Sequence, residues 1–121
     1  MESPYRFFDV EQINEVTFVT LIRYNPFDEM VLYDLQRELL AYAEAAKPDK
    51  LVVSFEKIEF AVSSLIGTLI SLKRRLLAIN PHSAVALCSL NDHSREVFET
   101  IDPKQSLFAR YQKASEAYSA L

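Results

Sequence analysis

Five prolines, Pro4, Pro26, Pro48, Pro81 and Pro103, divide the 121-residue chain. Each fixes its own φ, removes a backbone donor and pushes the preceding residue out of the helical region. Long helices and central strands therefore have to fit between prolines. Within these intervals the hydrophobic period changes from stretch to stretch. Short runs rich in β-branched and aromatic residues alternate with longer runs whose apolar residues recur every three or four positions. A chain punctuated in this way reads as alternating strands and helices, an α/β domain.

Taken in order, Tyr5–Val10 reads as a strand and Glu11–Glu15 as a turn around Asn14. Val16–Ile22 reads as a second strand, branched or aromatic almost throughout. Their closeness predicts an antiparallel hairpin. Asn25-Pro26 opens the next unit, and a 3.6-residue period predicts a helix over 28–46. Met30, Val31, Leu35, Leu39, Tyr42 and Ala46 form its expected apolar side, and Lys47-Pro48 ends it. Leu51–Phe55 is an apolar run of the buried-strand type. Strand, long helix and strand together have the length of a parallel crossover. The step repeats through a helix over 64–79 to a strand at Ala84–Cys88. A third helix is expected over 92–101, capped by Asn91 or Asp92, containing Val97, Phe98 and Ile101 and stopped by Asp102-Pro103. Leu107–Arg110 suits a last short strand. Ala114, Ala117, Tyr118 and Leu121 place a final helix over 112–121. The expected product is a single domain, residues 1–121, with a mixed sheet of four or five strands and about four helices packed on it.

The stretch Phe60–Asn80 carries the most information. Leu65, Leu69, Leu72, Leu76 and Ile79 form a core seam, widened by Ile66, Ile70 and Leu77. Asn80-Pro81 stops the helix. Ser63 and Ser64 stand where hydroxyls can cap its first free N–H groups. Ser64, Gly67, Thr68 and Ser71 recur at helical spacing and share a second face on which every residue is small. Gly67 is the only glycine in the chain. A mid-helix glycine costs about 1 kcal/mol relative to alanine, so it calls for close approach of another surface. That surface is either a partner or another part of the same chain; the remaining alternative is an accident of drift.

Composition removes several classes of function. A net charge of −4 argues against non-specific nucleic-acid binding. The one basic run, Lys73-Arg74-Arg75, lies in the second half of the central helix, where cations complement the helix dipole. Cys88 is the only cysteine, and with His82 and His93 it falls short of a metal-ligand set, so neither metal nor cofactor is expected. One glycine cannot supply a P-loop or a dinucleotide fingerprint. The apolar runs are too short for a membrane span. Glu2, Asp9 and Glu11 interrupt any early signal segment, so the expected location is cytoplasmic.

This order of elements, with a serine pair opening the second helix, resembles the STAS domain, the fold of bacterial anti-sigma-factor antagonists. The family motif is a strand, a loop, Asp-Ser-Ser-Gly-Leu-Gly and a leucine-rich helix. The matching stretch here is Val62-Ser63-Ser64-Leu65-Ile66-Gly67, with Leu51–Phe60 before it and Leu69–Leu77 after it. Val62 replaces the family's acidic residue and Leu65 its first glycine. The resemblance implies a SpoIIAA-like fold and a regulatory phosphorylation site, which falls on Ser63, less well on Ser64. It also implies an anti-sigma factor or related serine kinase as partner, bound through Ser63, Ser64, Gly67, Thr68 and Ser71. Two other readings stand beside this one. In one, the chain is an unphosphorylated STAS-like scaffold or homo-oligomer subunit, and Ser63 is an N-cap. In the other, Ser63 is a nucleophile with His82 or His93 as base. No motif brings a histidine to Ser63, so no enzyme is expected.

Overall fold

Residues 5–22 and 28–121 are described by the structure, a computed structural model. Pro4 and the Asn25-Pro26 opening lie outside them. Strand β1 (Phe8–Ile13) and strand β2 (Val16–Leu21) form the hairpin, followed by helix α1 (Glu29–Ala46) and strand β3 (Lys50–Ser54). Helix α2 (Ser63–Ile79), strand β4 (Ala84–Cys88), helix α3 (Asp92–Ile101), strand β5 (Ala109–Tyr111) and helix α4 (Ala114–Ala120) complete the chain. The strands lie side by side in sequence order. β1 and β2 are antiparallel, and every other pairing is parallel. The two crossovers that the sequence predicts thus build the middle of the sheet.

β1 corrects the expected boundaries. It starts later than Tyr5 and runs to Ile13, through residues assigned to the turn. The turn itself is only Asn14-Glu15, with Ile13 paired to Val16. Asn14 has φ 54°, in the left-handed region that asparagine tolerates and two-residue hairpin turns require. Glu11 and Gln12 read as turn residues because they are polar. In fact they occupy an edge strand, where polar side chains face water.

Alternation along the strands separates two cores. Val19, Leu21, Leu51, Val53, Val85 and Leu87 meet the buried sides of α1 and α2. Val16, Phe18, Val52 and Cys88 face the other way, toward Ala117, Tyr118 and Leu121. α1 buries Leu32, Leu35, Leu39, Tyr42 and Ala43. Met30 and Ala46, both expected inside, are exposed. Met30 lies off the stripe, and Ala46 lies in the last turn, past the packed surface. In α2, Leu65, Ile66, Leu69, Leu72 and Leu76 are buried, whereas Leu77 is turned outward. α3 buries Phe98 edge-on between Phe55 and Phe108, with centroids 5.9 and 6.4 Å away, and leaves Ile101 exposed.

β5 starts at Ala109, two residues later than expected. The cause is Asp102, which caps the end of α3. Its carboxylate accepts from the N–H groups of Ser106, Leu107 and Phe108 at 2.8, 2.9 and 3.2 Å. Those donors are committed to a side chain, so they are not free for the ladder.

Candidate functional site at the start of the central helix

The loop from β3 to α2 is held from below and from the side. Phe55, Ile58 and Ala61 are buried in the core. Asn91 Nδ2 donates to the carbonyls of Ile58 and Glu59 at 3.3 and 2.8 Å. The Asn91 Oδ1 atom meanwhile caps α3 by accepting from Ser94 N at 2.8 Å. One side chain therefore ties this loop to the start of α3. Between these contacts Phe60 stays 50% exposed. Its ring stands edge-on to His93, 5.1 Å between centroids.

The serine pair does not cap α2. The N-cap is Val62, extended at φ −117° and ψ 162°, and no side chain accepts there. The Val62 carbonyl already accepts from Leu65 and Ile66 N at 3.0 and 3.3 Å. Ser63 is therefore the first helical residue, and Ser63 and Ser64 lie exposed in the first turn. That turn contains no acidic side chain. Its amide ends and the positive end of the helix dipole carry no protein counter-charge from the helix itself.

The small-residue face divides in two. A methyl group added at Gly67 would meet no atom within 4 Å beyond its chain neighbours and its own helix backbone. Packing within the chain therefore does not require glycine there, and Gly67 lies open beside exposed Ser64. Ser71 is half-buried. Thr68 is turned inward against α1, 4% exposed, and its Oγ1 donates to Gln36 Oε1 at 3.3 Å. The basic run is used structurally, though not in the last turn of the helix. Lys73 donates to the Leu107 carbonyl and lies over the Phe108 ring at 5.3 Å. Arg75 pairs with Glu44 of α1 at 2.6 Å. Arg74 is exposed.

The histidines are divided by the helix. His82 follows the C-terminal end of α2, about 25 Å of helix away from Ser63. His93 is beside Phe60, on the Ser63 side. Phe60 is the residue that sequence reading missed. Its signal was an aromatic without strand or helix period, three positions before Ser63.

No protein-family model matches the sequence, and no curated protein matches it. Solved structures do. The chain is similar to an anti-sigma-factor antagonist (STAS) domain protein from Planctomyces limnophilus, at 25% identity and TM-score 0.76, over 93% of this chain and 96% of that one. It is similar to an anti-sigma factor antagonist of Mycobacterium paratuberculosis, at 18% identity and TM-score 0.77, over 93% and 91%. A third match is the Bacillus cell-fate determinant SpoIIAA in its phosphorylated form, at 18% identity and TM-score 0.66, over 93% and 97%. Identities below 25% speak for the fold alone. Strand order and helix placement agree with it, and the chain has the fold of a STAS domain, the fold of the anti-sigma-factor antagonists.

Proposed function

We propose that the chain is a cytoplasmic regulatory module that binds an anti-sigma factor or a related serine kinase. The docking surface is the head of α2: Ser63, Ser64 and Gly67, with Ser71 at its margin and Thr68 beneath. The observation that carries this reading is Gly67. It is the one glycine of the chain, it lies inside a continuous helix, and the interior does not need it. A partner lying across the helix does.

Phosphate on Ser63 is the switch. It would sit at a helix N-terminus, where the dipole and the amide ends tolerate an anion, so the fold would persist. The surface would gain about −1.5 to −2 charges, enough to expel a docked protein. The STAS-like structures support this reading, and one of them is SpoIIAA in its phosphorylated form.

Affinity capture from the cell that makes the chain, followed by incubation with the captured kinase and ATP, tests the proposal. Phosphate is expected on Ser63 by peptide mass spectrometry. Ser63→Asp should weaken partner binding, and Gly67→Leu should abolish it while leaving the unfolding transition in place. Partner capture without any phosphate on Ser63 would favour the unphosphorylated scaffold. Binding that survives Gly67→Leu would remove this surface from the proposal.

A further inference from the structure

α4 covers only part of its side of the sheet. It packs chiefly on β3, β4 and β5, reaches Val16 and Phe18 of β2 through Tyr118 and its neighbours, and leaves the edge at Glu11 and Ile13 of β1 open. The space between is a cavity of about 540 Å³, within the ordinary size of a small-molecule site. Phe18 forms part of its floor, with Ile13, 42% exposed, at one side. Tyr118 stands in the α4 wall. Its hydroxyl accepts from Asn14 Nδ2 at 2.5 Å, which closes the hairpin end.

The charge in this cavity has one sign. Glu11 from β1 and Glu56 from the loop after β3 line it, and no Lys, Arg or His does. Neither carboxylate makes an ion pair among the described residues. An apolar floor with aromatic surfaces below two unpaired carboxylates complements an ammonium group on an apolar body. The carboxylates supply the counter-charge, and the Phe18 and Tyr118 side chains supply aromatic surface for the apolar body. An organic anion would meet two like charges.

We infer that this cavity binds a small organic cation, an amine carried on an aromatic or alkyl body. It lies on the sheet face that bears α4, apart from the core that α1 and α2 cover. Glu56 places one rim of it on the loop that leads from β3 to α2, whereas Ser63, Ser64 and Gly67 do not line it.

Tryptamine is the probe, and indole-3-acetate is the control of the same ring and opposite charge. Each is titrated into the isotope-labelled full chain while amide resonances are followed. Tryptamine should shift the amides of Ile13, Phe18, Thr20 and Tyr118 saturably, and indole-3-acetate should not. Glu11→Gln combined with Glu56→Gln should weaken tryptamine binding roughly tenfold or more. Ser119→Trp, which fills the cavity from the exposed wall of α4, should abolish it with the rest of the spectrum unchanged. Shifts that never saturate overturn the inference, as do equal shifts from both compounds or undiminished binding by the double variant. Concentration-dependent shifts of these amides without any amine would assign the cavity to a second copy of the chain and overturn it too.

Discussion

Gly67 and Ser63 lie four residues apart, and each separates two roles that a sequence alone leaves merged. With open space around Gly67, Gly67→Ala should stabilise the isolated chain by up to about 1 kcal/mol through helix propensity. Urea unfolding measures this, and a loss of stability would mean that a neighbour does pack there. Ser63 was expected to cap α2, and its removal would then have cost about 1 kcal/mol. Because Val62 holds the cap position, Ser63→Ala should instead stay within about 0.5 kcal/mol of the parent, as surface substitutions usually do. A drop of 1 kcal/mol or more in the same assay would restore the capping role. A serine just ahead of a leucine seam gives the same signal whether it is the cap or the first helical residue. The difference is set by the backbone angles of Val62, and side-chain periodicity does not encode those. Gly67 was legible as an anomaly, and its surroundings required the fold.

The α3–β5 connection shows the same limit for an element. Asp102 was legible as a stop, since Pro103 follows it. Its partners were not, because they come from the backbone of the next turn and from Arg110, eight residues on. The Asp102–Arg110 pair is 3.2 Å apart, with side chains 4% and 8% exposed. Burial by itself would raise the Asp102 carboxyl. The N–H groups of Phe108, Leu107 and Ser106, with the Arg110 guanidinium, outweigh it and hold the group below the usual carboxylate range. Asp102→Ala strands Arg110 without its partner and leaves three donors unmet, so it should cost about 3–5 kcal/mol. The pH dependence follows from the sign of the shift. A depressed folded pKa gives stability that is fully present above the unfolded value of about 3.9. It is lost as pH falls from there through the folded value. The stability gap between the parent and Asp102→Asn should therefore narrow over that acid window in urea titrations. A gap that stays constant from neutral pH down to acid would show that the carboxylate is not ionised in the folded chain.

For the molecule as a whole, proline spacing and changing period were enough to give the crossovers, because a strand, a long helix and a strand in succession have few other solutions. They did not reveal what each side of the sheet would meet. α4 is seven residues long, too short for its period to fix a direction, yet among the described residues it is the helix that packs on β3, β4 and β5 from the side of Val52 and Cys88. Cys88 reports on that arrangement. It is fully buried under α4, and burial pushes its thiol above the ordinary range, against the hydroxyls of Ser89 and Ser54 and in the same direction as the Glu56 charge. The thiolate, not the thiol, attacks disulfide reagents, so the folded chain should react slowly with Ellman's reagent at neutral pH. Ending the chain at residue 112 removes α4 and leaves the cores of α1, α2 and α3 in place. Cys88 should then react many times faster while the far-ultraviolet circular dichroism keeps its strand and helix signal. Equal rates for the full and shortened chains, both folded by that signal, would show that α4 does not shield this side of the sheet. The cavity beside it would then lose its wall as well.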